Sequence, residues 1–225
     1  MHDVVILAGG FGTRLKTISG ELPKPMVDIS GQPFLYRLMK YLEEQGVRRI
    51  ILSLSYKANY IIDQVQKDNP VSCDVDFIVE DEPLGTGGAI KFAASKVKSK
   101  QFIVLNGDTY CELDYNAFIN SSKNVQLLIS GVEVSDVSRY GSLKLDRDNN
   151  VLAMVEKGPG GNGIINSGIY LLDKNIIENY PRNKFSFETD FLPEFNGVFK
   201  AYTSKPYFID IGIPEDYHKA CEKFK

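Results

Sequence analysis

Apolar positions along the first half of the chain switch repeatedly between strand-like and helix-like spacing. Val4–Leu7 is a short continuous apolar run, the pattern of a strand buried on both faces. Phe34, Leu35, Leu38, Met39 and Leu42 then recur at helical spacing, which makes one face of a helix apolar. Pro33 suits the first turn of that helix and Gly46 its C-terminal stop. The same reading predicts a strand at Ile50–Leu52, a helix at Ala58–Val65 and a strand at Val75–Val79. A helix at Ala89–Val97 and a strand at Phe102–Leu105 follow. Such alternation, with strands apolar throughout, implies a parallel sheet covered on both faces, joined by right-handed crossovers. Beyond residue 120 the pattern turns strand-rich, at Val125–Val132, Ser142–Leu145, Val151–Glu156 and Ile164–Leu172. Turn signals such as Asp148-Asn149-Asn150 separate these runs. Helical patterns return at Asn175–Tyr180, Phe187–Phe195 and Pro214–Phe224. The loop Gly158–Gly163 is too short to separate domains and well placed to move over a site. With no linker, repeat or low-complexity tract, the expectation is one α/β domain over residues 1–225, a parallel half extended by a mixed sheet.

Composition narrows the function. Of 225 residues, 43% are hydrophobic and 24% charged, ordinary values for a soluble globular protein. A net charge of −3 argues against a nucleic-acid partner, which normally meets a basic face. Three cysteines occur without a C-x-x-C pair, as expected of reduced thiols in the cytoplasm. The two histidines, His2 and His218, leave almost no material for a His-based zinc site or a Ser-His-Asp triad. No apolar run approaches the roughly 18 residues of a membrane span, and no signal-peptide pattern opens the chain. A soluble cytoplasmic protein without a membrane partner is expected, and a homo-oligomer stays open.

The polar clusters carry the chemistry. Gly9, Gly10 and Gly12 follow the first apolar run, with Arg14 and Lys24 close behind. Glycines let a backbone approach a ligand and aim successive N–H groups at phosphate oxygens. Arg adds a rigid fork of charge and Lys a compact one. The loop is neither a P-loop nor the dinucleotide fingerprint, whose third glycine position is Leu15 here. An ordinary turn needs a glycine or two, and three within four residues exceed that need. Ligands of open α/β sheets bind beyond the carboxyl ends of the strands. Five clusters fall there: the glycine loop, residues 80–89, Asn106-Gly107-Asp108, Glu156-Lys157 and Asp210. Asp108 and Asp210, if they converge, would hold Mg²⁺ with its waters, although an Asp in such a position also caps turns. Gly85-Thr86-Gly87-Gly88 would pack backbone against a flat base. Glu80, or else Glu82, would accept from a base edge, and the paired N1–H and N2–H donors of guanine match a carboxylate. Either glutamate alone also reads as part of a solvated acidic loop. Glu156-Lys157 pairs an acceptor for sugar hydroxyls with a cation for a sugar phosphate, or else is a surface ion pair.

Together these strings resemble the sugar-1-phosphate nucleotidylyltransferases. The resemblance rests on Leu7-Ala8-Gly9-Gly10-Phe11-Gly12-Thr13-Arg14-Leu15 and Pro23-Lys24-Pro25-Met26. It continues in order through residues 82–89, Asn106-Gly107-Asp108, Arg139-Tyr140-Gly141, Glu156-Lys157, Ile165-Asn166-Ser167-Gly168-Ile169-Tyr170 and Phe208-Ile209-Asp210-Ile211-Gly212. It implies a Rossmann-like, glycosyltransferase-A-like fold, a mixed, mainly parallel central sheet flanked by helices. Residues 1–120 would form its nucleotide-binding half and 121–225 its sugar-binding half. The implied partners are a nucleoside triphosphate and a sugar 1-phosphate, and the implied cofactor is Mg²⁺. Carried over by position, the backbone around Leu7, Ala8, Gly9, Gly10, Gly12 and Thr13 would cradle the nucleotide. Arg14 would bind the triphosphate and stabilise charge at the reacting phosphorus, while Lys24 bridges phosphates. Glu80, Gly85 and Thr86 would meet the base, and Asp108 and Asp210 the metal. Asn106, Gly141, Glu156 and Asn166 would hold the sugar, and Lys157 its phosphate. Arg14, Lys24, Asp108 and Lys157 would be the catalytic set. One departure is Lys16-Thr17-Ile18-Ser19 after Leu15, where many members have Pro-Leu-Thr.

Gly85–Ile90 and Ser186-Phe187-Glu188 are most similar to members that join GTP to D-glycero-α-D-manno-heptose 1-phosphate. Members acting on mannose 1-phosphate with GTP, or on N-acetylmuramate 1-phosphate with a uridine nucleotide, are the alternatives. The same chemistry on another alcohol phosphate such as phosphocholine, or a non-catalytic domain that binds a sugar nucleotide, are the readings outside that set. The implied reaction is in-line attack of a sugar-1-phosphate oxygen on the α-phosphorus, releasing pyrophosphate.

Overall fold

A computed structural model describes residues 2–10, 12, 15, 18, 20–155 and 160–225. The chain runs through β1 (Asp3–Leu7), a 3₁₀ turn (Lys24–Met26), β2 (Asp28–Ile29), β3 (Gln32–Pro33) and α1 (Phe34–Glu44). β4 (Arg49–Leu54), α2 (Ala58–Lys67), β5 (Asp74–Val79), α3 (Gly85–Ala94) and β6 (Gln101–Asn106) complete the parallel half. There follow β7 (Thr109–Cys111), α4 (Tyr115–Asn120), β8 (Leu127–Val134), β9 (Ser142–Leu145), β10 (Val151–Val155) and β11 (Gly163–Asp173). The last elements are α5 (Lys174–Glu178), a π-helical turn (Phe187–Phe191), α6 (Leu192–Glu194), β12 (Phe199–Ser204), β13 (Phe208–Asp210) and α7 (Pro214–Lys223).

Among the described residues, nine strands form one sheet, with the path β10-β9-β11-β6-β1-β4-β5 and β8 and β12 joined beside β11. β6, β1, β4 and β5 are mutually parallel, whereas β11 meets β6 antiparallel. The mixed, mainly parallel sheet follows from the sequence pattern. Val4, Ile6, Ile50, Leu52, Ile103 and Leu105 point into one apolar layer, packed with α1. Val5, Ile51, Phe102 and Val104 point into the other, packed with α3. Strands that alternate sides yet are apolar at every position must be covered on both faces. The register then aligns the carboxyl ends of the strands, with Leu7 beside both Ser53 and Asn106, and Leu54 beside Val79. No helix among the described residues is long and apolar enough to cross a membrane.

α1 lies where its apolar spacing predicts and stops at Gly46, whose φ of +88° only glycine adopts readily. α3 begins four residues earlier than Ala89 and ends at Ala94 rather than Val97. Its first turn is the glycine run itself. The backbone N–H groups of Gly87 and Gly88 donate to Phe185 O at 3.0 and 3.2 Å. A Cβ at Gly87 would lie 2.2 Å from the Phe185 ring, and one at Gly88 would lie 2.4 Å from Asn183 O. Gly87 and Gly88 are therefore spent on close approach to protein, correcting the expectation that they face a flat base. The predicted helix over Phe187–Phe195 is a π turn passing into the short α6, started by Ser186 Oγ accepting from Thr189 N–H at 3.2 Å. β10 ends at Val155, and the predicted continuation to Glu156, like the start of the Gly158–Gly163 loop, lies outside the described residues.

Gly88→Ala should lower the unfolding free energy by about 1–3 kcal/mol, the usual cost of overpacking, read from the midpoint of urea unfolding. An unchanged midpoint would contradict the close packing of α3 on residues 183–185.

Candidate active site

The aligned carboxyl ends of the parallel strands open onto a cavity of about 340 Å³. Leu7, Gly9 and Gly10 after β1, and Ser53 and Ser55 from β4, form part of its wall. Glu80 and Pro83 after β5, and Gly85, Thr86 and Ala89 of α3, form another part. Lys24 and Pro25 of the 3₁₀ turn, with Asn106, Gly107 and Asp108 after β6, complete it. The N–H groups of Gly9 and Gly10 donate to no partner among the described residues.

Two close approaches build the charged end of the cavity. Gly107 N–H donates to Leu7 O at 2.9 Å, and a Cβ there would lie 2.7 Å from that oxygen. Only a glycine lets the turn after β6 press on the loop after β1, and Asp108 is the next residue. β7 and β13 pair antiparallel with Thr109 opposite Asp210, so the two-stranded ribbon carries Asp210 to the same point. Lys24 Nζ stands there, 2.6 Å from Asp108 Oδ2 and 3.7 Å from Asp210 Oδ1. Lys24 is buried, while each carboxylate keeps about a third of its side chain exposed. Gly12, with φ of +60°, lies against the Lys24 stem. One ammonium between two carboxylates leaves a formal net charge of −1 among the three groups.

Glu80 meets the expected position on the cavity wall. Its Oε2 accepts from Leu84 N–H at 3.0 Å, while Oε1 has no donor among the described residues. Burial pushes the Glu80 carboxyl pKa up, partly offset by the Leu84 hydrogen bond. Glu82 does not share the site. It pairs with Lys184 at 3.6 Å on the open surface, so of the two glutamates only Glu80 lines the cavity.

Ala8, expected in the nucleotide cradle, is buried in the core beneath the cavity, its N–H donating to Ser53 O at 2.8 Å. Asn166 and Gly141, expected at the sugar, are joined to one another by Asn166 N–H on Gly141 O at 3.0 Å. They lie outside the cavity wall just described but are linked to it. Asn166 Nδ2 donates to Tyr170 OH at 2.7 Å, and that hydroxyl donates to Glu188 Oε1 at 3.3 Å. Thr86 Oγ1 donates to Glu188 Oε2 at 2.8 Å and accepts from Phe187 N–H at 2.8 Å. Burial holds the Tyr170 phenol well above its ordinary pKa, so it stays a neutral donor and acceptor. This chain of bonds fastens the second half of the molecule to the first turn of α3. Thr13, Arg14, Glu156 and Lys157 lie outside the described residues.

Ser53, Ser55, Pro25 and the Tyr170–Glu188 link are site features beyond those expected from the sequence. Ser53 had a signal, being the one hydroxyl residue in the apolar run from Ile50 to Leu54. The Tyr170–Glu188 link had none, since it joins residues made neighbours only by tertiary packing.

Among the described residues no group of three or more His, Cys, Asp or Glu side chains is arranged for a metal. Asp108 and Asp210 are nevertheless partly exposed oxygen donors of the kind Mg²⁺ takes, and that ion keeps several waters and draws other ligands from substrate phosphates.

Comparison with known proteins identifies what the chain as a whole is similar to. The chain is 42% identical over 220 residues, 96% of its length and 97% of the relative's, to the D-glycero-α-D-manno-heptose 1-phosphate guanylyltransferase of Campylobacter jejuni. It is 39% identical over 228 residues, 99% of its own length and 98% of the other's, to the protein of that name from Aneurinibacillus thermoaerophilus. The crystal structure of HddC from Yersinia pseudotuberculosis superposes with a TM-score of 0.96 at 71% identity, each chain covered completely. A second crystal structure of HddC, complexed with GMP-PN, gives 0.95 at 72% identity, again with each chain covered completely. A profile of the nucleotidyl transferase family matches residues 3–225, and the chain belongs to that family.

Proposed function

We propose that this nucleotidyltransferase moves a guanylyl group from GTP to D-glycero-α-D-manno-heptose 1-phosphate, giving a nucleotide sugar and pyrophosphate in the cytoplasm for surface polysaccharide. One observation carries the phosphoryl-transfer part of the reading, the convergence of Lys24, Asp108 and Asp210 at the mouth of a strand-end cavity. The choice of GTP and heptose draws on the end-to-end likeness to the heptose guanylyltransferases and HddC.

In this reading an oxygen of the sugar phosphate attacks the α-phosphorus in line. A new P–O bond forms, the bond to the β-phosphate oxygen breaks, and pyrophosphate leaves with the electron pair. The attacking oxygen is already anionic, so no general base is required, in keeping with a chain that holds only His2 and His218. What the protein must supply is positioning and neutralisation of charge. The free N–H groups of Gly9 and Gly10 cradle phosphate oxygens, and Lys24 exchanges Asp108 for a phosphate. Asp108 and Asp210 would hold Mg²⁺, which when bound neutralises phosphate charge. Arg14 and Lys157 are assigned by the sequence resemblance to the triphosphate and the sugar phosphate. Asn106, Gly141, Glu156 and Asn166 hold the sugar, and Glu80, Gly85 and Thr86 the base.

Pyrophosphate release measured across the four nucleoside triphosphates and a panel of hexose, aminosugar and heptose 1-phosphates tests this reading. Turnover is expected with GTP and the heptose 1-phosphate. Turnover confined to uridine or thymidine triphosphate would overturn the guanine assignment, and turnover with none would overturn the catalytic one.

The Glu80 carboxylate accepts from guanine N1–H and N2–H only when ionised. Because burial raises its pKa, its protonation on acidification begins at higher pH than for an ordinary glutamate. The KM for GTP should therefore climb as pH falls through that raised value. Glu80→Gln should raise KM at neutral pH roughly tenfold or more, as expected for a hydrogen bond to a charged group, and should abolish the acid limb. An identical acid limb in the variant would show that another group titrates.

A further inference from the structure

β4 is apolar from Ile50 to Leu54 except at Ser53. This residue is 1% exposed, and its Oγ has no hydrogen-bond partner among the described residues. Buried hydroxyls are nearly always paired, because leaving one unpaired forfeits its hydration without compensation. Among the described residues three other buried hydroxyls share that state, on Tyr115, Ser130 and Ser204, and of these four Ser53 alone lines the cavity.

Its placement says what would pair with it. Ser53 lies beside Leu7 on β1 and Ile78 on β5. Glu80 is two residues past Ile78, and its N–H still donates to Leu54 O at 2.9 Å, which continues the ladder. Side chains two apart on a strand share a face, so Ser53 and Glu80 look into the cavity from the same side of the sheet. Adjacent strands are about 5 Å apart and the two-residue step is about 7 Å, a separation that the edge of one purine spans. Ala89 and Thr86 of α3 close the opposite side.

We infer that Ser53 Oγ–H donates to O6 of the guanine base and is a specificity-determining residue of the base pocket. The inference rests on the guanylyl reading above and deepens it. With the Glu80 carboxylate on N1–H and N2–H, the next atom along the same edge is O6, an acceptor that matches a hydroxyl donor. Glu80 repels adenine, whose N1 is an acceptor. Ser53 adds affinity on the remaining atom of the edge and loses its unpaired state when the base arrives.

The test compares wild type with Ser53→Ala in pyrophosphate release and in thermal unfolding without nucleotide. Removing an unpaired buried hydroxyl should leave Tm unchanged or raised. The same change should lower kcat/KM for GTP about threefold to tenfold, the usual size of one neutral hydrogen bond. With 6-thio-GTP, whose sulfur is the weaker acceptor, the loss on substitution should be smaller, while 7-deaza-GTP should lose as much as GTP. A fall in Tm would show that the hydroxyl is paired within the fold and overturn the inference. So would unchanged kcat/KM for GTP, or equal losses with GTP and 6-thio-GTP. A wild type active on GTP whose Ser53→Ala variant is equally active overturns the Ser53 assignment alone. A wild type that takes uridine triphosphate in place of GTP overturns the guanylyl reading itself, and the O6 contact with it.

Discussion

A buried ammonium between two carboxylates is the point on which the cavity depends. Lys24 Nζ is 2.6 Å from Asp108 and 3.7 Å from Asp210, and each residue comes from a different stretch of chain. Lys24 arrives on a 3₁₀ turn bracketed by Pro23 and Pro25, Asp108 on the turn after β6, and Asp210 at the end of β13. Burying any one of these charges alone would be costly. Together they offset one another, and the two carboxylates, each about a third exposed, keep the group in contact with solvent. The packing around them serves that arrangement, most directly where Gly107 closes on Leu7 O.

The parallel half of the sheet aligns four strand ends so that short loops converge, and the antiparallel half, joined through β11, is where the proposed reading puts the sugar phosphate. The two are not merely adjacent. The bonds from Asn166 through Tyr170 and Glu188 to Thr86 tie a residue of the expected sugar half to the first turn of α3 on the nucleotide side. Within the second half, a fork-to-carboxylate pair between Arg139 and Asp216 joins the loop before β9 to α7. For a reaction that depends on bringing two polyanions into line, such fixed spacing is the main thing a protein can contribute.

Much of this was legible in the chain because buried parallel strands announce themselves. Val4–Leu7, Ile50–Leu52 and Phe102–Leu105 have no polar positions, and polar clusters just past them had to gather at one sheet edge. Leu7, Gly9, Gly10, Lys24, Glu80, Gly85, Thr86, Asn106 and Asp108 do gather there. β7 and β13 carry only three residues each, too few for a period to register, so the pairing that sets Asp210 beside Lys24 was not predicted. The start of α3 was missed because glycine is a poor helix former, and only contact with Phe185 and Asn183 explains why Gly87 and Gly88 begin a helix. β12 was missed because Phe199–Ser204 alternates only weakly and is half-buried.

In the proposed reaction the triphosphate and a divalent ion meet at the Lys24–Asp108–Asp210 group. A crystal structure of this protein with a non-hydrolysable GTP analogue and Mg²⁺ tests it most directly. Lys24 Nζ should lie within hydrogen-bond reach of a phosphate oxygen, with the ion held by Asp108 and Asp210. A triphosphate bound elsewhere, with the Lys24–Asp108 pair unbroken and no ion between the two aspartates, would contradict it.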